Sequence, residues 1–250
     1  MHLSSAPVGI DEVRRDWTRL GTDDPLWAVC VAPGKRHGGW DEAEFLATGR
    51  AEVDSVVGWL ERLGLGGHWG RVLDFGCGAG RLTQALSRYA GEVVGVDISP
   101  GMLAAARRLN TSPNCSFLLN DAPDLRRFED GSFDLVYTAL VLQHLPRPMI
   151  EAYLVEFLRV LRPGGVAVVH TPTRPRWTVR GTLWRLVPWP VLRVGQRFVL
   201  RYPAPMRMTR MRAARMRRLV GAHGGSVVAE APDRSSTDDW VCTRYVVRRA

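Results

Sequence analysis

The chain has 250 residues, a formal net charge of +9, 46% hydrophobic and 24% charged residues, proportions that exclude a disordered or fibrous protein and predict one domain with a substantial core. Asp11, Glu12, Arg14, Arg15 and Asp16 interrupt the start of the chain, and no uncharged run is long enough to cross a bilayer, so neither a leader nor a membrane span is expected and the protein reads as cytoplasmic. Cys30, Cys77, Cys115 and Cys242 stand apart without CxxC or Cys/His spacing, which argues against a disulfide framework and a zinc site.

Two helical patterns open the chain. The clearer runs from Glu42 to Leu63, with Phe45, Leu46, Gly49, Val53, Val56, Val57, Leu60 and Leu63 at three-and-four spacing, an amphipathic helix leaning on a sheet. Strand-like runs then follow at Arg71 to Phe75, Glu92 to Asp97, Cys115 to Asp121, Phe133 to Thr138 and Val166 to His170. They alternate with helical runs at Arg81 to Tyr89, Pro100 to Leu109 and Pro148 to Leu161, the last stopped by Arg162-Pro163-Gly164-Gly165. Such alternation predicts a parallel, doubly wound sheet. Ser226 to Glu230 and Trp240 to Arg248 are joined only by APDRSSTDD, too short for a parallel crossover. The expected fold is therefore α/β and Rossmann-like, with a seven-stranded sheet that is mostly parallel and has its last strand reversed.

Between Phe157 and Ala229 there are 15 arginines and no Asp or Glu. Lys35 is the only lysine, so part of this arginine bias reflects a GC-rich genome rather than binding. Met208, Met211, Met216, Leu219 and Val220 form a helical stripe within Met206 to Val220, read as the last helix with arginines on a solvated face. The alternative is a face for phosphate, RNA, a peptide or an anionic membrane. Thr182 to Phe198 carries Trp184, Trp189, prolines and aliphatics with only arginine for charge. It is expected to cover an acceptor as an aromatic lid, completed by Trp17, Trp27, Trp40 and Arg50; an interfacial surface meeting a lipid-linked substrate, or a satellite core, are the alternatives. The expected organisation is a helical cap over 1–70, a cofactor-binding core over 71–172, a lid-like insertion over 173–205, and the last helix with an antiparallel strand pair over 206–250.

The stretch VLDFGCGAGRL places Gly76, Gly78 and Gly80 directly after a strand, with Asp74 two residues before the first glycine. This spacing lets backbone amides approach a ligand closely. Asp74 is placed to accept from an ammonium group, Asp97 at the tip of the second strand to take two ribose hydroxyls, and Asp121 at the end of the third to accept from an adenine amino group.

VLDFGCGAG, VVGVDIS, LLNDAPDL, FDLVYTALVLQHL and LRPGGVAVVHTP, between Arg71 and Pro172, resemble in order the motifs of the class I S-adenosylmethionine-dependent methyltransferases, in their bacterial small-molecule form. The resemblance implies that Gly76, Cys77, Gly78 and Gly80 bind S-adenosylmethionine through backbone, with Asp74 near its ammonium and Arg81 near its carboxylate. It further implies Asp97 on the ribose, Ile98 and Met102 flanking the adenine, Asp121 and Ala122 at the adenine edge, and Thr138 beside the methionyl part. Methyl transfer from a sulfonium asks the protein chiefly for alignment and a dry pocket. A base is needed only for a protonated nucleophile; His144 and His170 qualify by position, with packing roles as the other reading. The sequence lacks an Asn/Asp-Pro-Pro-aromatic element and the oxygen ligands of a magnesium-dependent enzyme, so no metal is expected. The expected activity is methylation at O or N of a small-molecule acceptor in natural-product, antibiotic or saccharide biosynthesis. The alternatives are a lipid or lipid-linked glycan, or RNA or a peptide on the arginine face. Acceptor and oligomeric state are left open.

Overall fold

The computed structural model describes residues 9–233 and 238–250. Three helices, α1 (Ile10–Asp23), α2 (Pro25–Val29) and α3 (Glu42–Arg62), precede the first strand. They are followed by β1 (Trp69–Phe75), α4 (Arg81–Leu86), β2 (Ala90–Asp97), α5 (Pro100–Leu109), β3 (Cys115–Leu119), β4 (Phe133–Thr138), α6 (Arg147–Val160) and β5 (Leu161–Pro175). Two short helices, α7 (Val179–Leu186) and α8 (Trp189–Phe198), lie between β5 and α9 (Ala213–Ala222), and β6 (Gly225–Asp233) and β7 (Trp240–Arg249) end the fold.

The seven strands form one sheet in the order β3-β2-β1-β4-β5-β7-β6. The first five strands run parallel, and β7 lies antiparallel to both β5 and β6. The expected reversed strand is thus β7, inserted between its neighbours. Every residue of β4 is buried, as a central parallel strand with helices on both faces requires. On one face Phe75, Val136, Val169 and Val247 pack with Ile150, Tyr153 and Phe157 of α6. On the other, Val72, Leu135, Tyr137 and Val168 pack with Val53, Val56 and Leu60 of α3. Asp41 starts α3 by accepting the Glu44 N–H at 2.9 Å, one of the donors a helix start leaves unpaired.

Several expected boundaries move: β5 runs over Leu161–Pro175 rather than Val166 to His170, because its backbone keeps pairing with β7 as far as Pro175. Strand β3 ends at Leu119 rather than Asp121, because Asn120 turns inward and its side-chain amide donates to the carbonyls of Ala122 and Asp124. The last helix begins at Ala213, not Met206. The backbone before it is taken by other elements: Met206 N–H donates to Gln196 Oε1 at 2.7 Å, Thr209 N–H to the Gln143 carbonyl at 2.6 Å, and Met211 N–H to the Pro172 carbonyl at 2.9 Å. The methionine spacing that imitates a helix instead anchors an extended strap. Among the described residues, no helix is long and apolar enough to cross a membrane.

Candidate functional site

Strand order reverses between β1 and β4, with β2 and β3 to one side and β5 to the other. A crevice must open there at the carboxyl ends of the strands. It is a cleft of about 850 Å³, partly open to solvent. Its polar half comes from Gly76, Cys77, Gly78 and Arg81 after β1, Asp97, Ile98 and Met102 after β2, and Asn120 after β3. Its apolar half comes from Ala139, Leu140, Val141, Leu145, Met149 and Tyr153, with Val13, Trp17, Ala28 and Val29 of the first two helices as a further wall.

The glycine turn is held tightly against the sheet. Gly76 and Cys77 both donate to the Val96 carbonyl, at 2.8 and 2.9 Å. Gly76 has φ +75°, and a Cβ there would lie 2.4 Å from Val141 Cγ2; at Gly78, with φ +52°, it would lie 2.5 Å from Val29 Cγ2. Glycine is therefore required both by conformation and by the approach of the cleft wall. Gly76→Ala is expected to lower stability by roughly 2–4 kcal/mol, from left-handed strain and displacement of Val141. Urea unfolding checks this, and a loss under about 1 kcal/mol would show that the turn relaxes freely.

Asp97 stands at the tip of β2. Its Oδ2 accepts the Gly78 N–H at 2.9 Å and its Oδ1 the Ser99 N–H at 2.8 Å, while burial raises its pKa to about 6. Asp74 lies behind the turn, fully buried, accepting the Thr83 hydroxyl at 2.6 Å; burial raises it to about 7. It does not line the cleft. Arg81 does, and its Nη1 donates to Glu52 Oε2 at 2.9 Å. Glu52 Oε1 accepts from Tyr137 Oη at 3.0 Å and from Arg244 Nη2 at 2.9 Å, and Arg244 pairs with Asp233 at 2.6 Å. Charges thus alternate along a buried chain, Arg81, Glu52, Arg244, Asp233. Sequence reasoning missed Glu52, although the signal was present: it shares a helical stripe with Phe45, Gly49 and Val56, a carboxylate set among core positions.

Other expected site residues fall elsewhere. Asp121 is turned to solvent, its Oδ2 3.8 Å from Arg14 Nη1, and Asn120 lines the cleft in its stead. Ala122 uses its carbonyl to accept the Tyr153 hydroxyl at 2.8 Å and is not in the wall. Gly80, with φ +82°, starts α4 and packs on Phe117 and Ala106. Thr138 is buried and does not line the cleft.

Neither histidine lines the main cleft. His170 Nδ1 accepts the Leu140 N–H at 3.4 Å, holding Leu140 at φ +62°. His144 Nδ1 is 2.7 Å from the Arg207 carbonyl; a carbonyl can only accept, so this nitrogen carries the proton and Nε2 faces Gln143 Nε2 at 3.2 Å as the acceptor. Burial lowers both imidazoles to about 4. His144 borders a second, smaller chamber of about 290 Å³ that shares Val13 and Trp17 with the cleft and also touches Glu12, Asp16, Trp189 and Arg207. The expected aromatic cover is not formed over the main cleft. Of 173–205, only Trp189 and Pro205 reach either cavity, at the smaller one. Trp27 packs on Tyr202 and Trp40 on Phe45, and Arg50 is exposed, outside both walls. The reason is that α7 and α8 are anchored by their tryptophans to one another and to β7, away from the cleft.

Residues 72–165 match the family model described as "Methyltransferase domain". A ubiquinone biosynthesis O-methyltransferase from Xanthomonas campestris pv. campestris is 34% identical over 106 residues, which cover 42% of this chain and 44% of the relative. Its counterpart from Xanthomonas oryzae pv. oryzae is 35% identical over 115 residues, covering 45% and 46%. The matched segment thus spans less than half the length of these curated relatives. Among solved structures, magnesium protoporphyrin IX methyltransferase from Synechocystis with bound SAH superposes with TM-score 0.64 at 22% identity, covering 95% of this chain and 98% of that one. A structure described for the conversion of a disulfide bond into a thioacetal group during echinomycin biosynthesis gives TM-score 0.54 at 24% identity, covering 78% and 81%. At these identities the likeness is one of fold.

Proposed function

We propose, from the match of residues 72–165 to the methyltransferase domain model and the likeness in fold to magnesium protoporphyrin IX methyltransferase, that the protein binds S-adenosylmethionine in the main cleft and transfers its methyl group to an oxygen or nitrogen of a small-molecule acceptor. The observation that carries this reading is Asp97. Its carboxylate lies at the tip of the second strand, beside a glycine turn and at the wall of the cleft, where an acidic side chain can accept from two vicinal hydroxyls. Ile98 and Met102 flank that position, and Asn120 takes the place expected of Asp121 at a base edge. Arg81 lines the cleft with its Nε buried and without a hydrogen bond, a donor suited to a carboxylate.

When bound, S-adenosylmethionine supplies an activated methyl group with a neutral thioether as leaving group. The chain's own part is placement and exclusion of water. Leu140, Val141, Leu145 and Met149 with Val13 and Trp17 form an apolar wall opposite the polar half, which favours an acceptor with a substantial hydrophobic body. In this reading His170 positions the Leu140 backbone rather than taking a proton. His144, kept neutral by burial, has its Nδ1 proton on the Arg207 carbonyl and its Nε2 lone pair on the Gln143 amide, so it shapes the wall of the smaller chamber rather than taking a proton. The ubiquinone and magnesium protoporphyrin names among the relatives support a small-molecule acceptor, and the echinomycin neighbour links the fold to natural-product biosynthesis.

Asp97→Ala is expected to weaken S-adenosylmethionine binding at least tenfold by titration calorimetry, about 1.4 kcal/mol, with an unchanged circular dichroism spectrum. Unaltered affinity in a folded variant would overturn the site.

A further inference from the structure

The segment between β5 and α9 presents a surface that methyl transfer does not use. Among the described residues 13 large hydrophobic side chains are exposed, and nine of them lie between Trp177 and Leu200. Their spacing is ordered. On α7 the exposed residues are Val179, Leu183 and Leu186; on α8 they are Val191, Val194 and Phe198. Each set is one stripe of a helix, at i, i+3 or i+4, and i+7. Trp177 precedes the first stripe, and Val199 and Leu200 follow the second. Val179 is 82% exposed and Phe198 71%, so these stripes are not partly covered core.

The opposite sides of the same helices make the contacts that hold them. Trp184 stacks on Trp189 with centroids 6.1 Å apart and meets Trp240 edge-on at 5.9 Å. Gln196 is buried, donating to the Met206 carbonyl at 3.1 Å and accepting the Met206 N–H at 2.7 Å. Both helices are therefore fixed from below, and their outward apolar stripes add nothing to the core.

Charge selects what covers them. Arg180, Arg185, Arg193, Arg197 and Arg201 are exposed along the same segment, which contains no acidic residue of its own, although Arg193 is paired with Glu12 of α1 at 3.1 Å. On α8, Arg193 and Arg197 fall on one flank of the apolar stripe, between it and the buried face. A second copy of the chain meeting this face across a two-fold axis would set arginine against arginine. A nucleic acid would match the charge but not the surface, since seven of the nine exposed side chains are aliphatic and bases stack on aromatic faces. Apolar stripes rimmed by arginines fit the boundary between anionic headgroups and acyl chains.

We propose that α7 and α8 form a docking face that seats the protein on the surface of an anionic lipid bilayer. The inference does not depend on which acceptor is methylated, or on methyl transfer at all. Docking would bring the apolar stripes into the acyl boundary while the arginines stay at the headgroups.

Sedimentation with vesicles tests it, using phosphatidylcholine alone and phosphatidylcholine mixed with phosphatidylglycerol. The wild-type chain is expected to bind the anionic vesicles at least tenfold more tightly than the neutral ones. Leu186→Ser combined with Phe198→Ser, and separately Arg180→Glu combined with Arg197→Glu, are each expected to weaken that binding at least tenfold. Both pairs lie away from the cleft, so S-adenosylmethionine affinity and circular dichroism should be unchanged, which separates this test from that of the catalytic reading. Failure of the folded wild-type chain to bind anionic vesicles would overturn the proposal, and so would full binding by the serine variant. A dimer in sedimentation velocity that dissociates on the serine substitutions, with no vesicle binding, would instead assign the face to a second copy.

Discussion

Glu52→Ala is expected to lower the unfolding free energy by about 3–5 kcal/mol, the range seen when one partner is removed from a buried ion pair. Glu52 is the shared acceptor of two guanidiniums, Arg81 and Arg244, whose side chains are 3% and 11% exposed. Its removal strips Arg81 of its carboxylate partner, takes one of two from Arg244, and leaves the Tyr137 hydroxyl without its acceptor. The cost is that of buried charge left uncompensated rather than the net worth of the bridge. A second substitution makes the argument sharper. Arg81→Leu in the Glu52→Ala background removes the stranded charge, so the double variant should be more stable than the sum of the single losses by at least 1 kcal/mol. Urea unfolding of the four proteins measures this coupling. Additive losses, or a Glu52→Ala loss below about 1 kcal/mol, would mean that water reaches the arginines and screens them.

This alternating chain also shows which parts of the molecule could be read before its structure. The parallel core was legible because its signals are local. FDLVYT is buried along its whole length, and the Gly76 turn needs positive φ wherever the rest of the chain goes. Helix α3 was legible from periodicity, within one residue at its end. Glu52 lay in that helix, yet its partners come from α4, β4 and β7, so only tertiary structure could name them. Asn120 and Asp121 differ by one step of an extended chain, and each step turns a side chain to the opposite side; a strand end misplaced by two residues was enough to choose the wrong neighbour. Residues 206–211 have helical spacing, but their backbone groups are taken by Gln143, Pro172 and Gln196, all beyond the reach of a helical turn. In α7 and α8 the tryptophans are indeed covered, from beneath. The direction in which an amphipathic segment faces is set by what it docks on, and composition does not carry that information.

Two buried groups are expected to give the stability curve opposing slopes in the same pH range. His170 has its pKa lowered from 6.5 to about 4 by burial, and Asp74 has its own raised from 3.8 to about 7 by burial. Between pH 4.5 and 6 the unfolded chain therefore holds the His170 proton while the folded chain does not. That contribution is complete above the unfolded pKa and is lost as pH falls toward 4. For Asp74 the folded chain holds the proton and the unfolded chain does not, so its contribution is complete at low pH and is lost as pH rises through about 7. Each group contributes up to about 1.4 kcal/mol per pH unit, with opposite sign, and the wild-type curve hides both. Substitution should expose them. Asp74→Asn, which keeps an acceptor for the Thr83 hydroxyl, should make stability rise more steeply with pH than in the wild type. His170→Asn, which keeps an acceptor for the Leu140 N–H, should make it rise less steeply or fall. Urea unfolding at pH 4.5, 5.25 and 6 gives the three slopes directly. If both variants keep the wild-type slope, Asp74 and His170 titrate alike in folded and unfolded chains, and water reaches both side chains despite their burial.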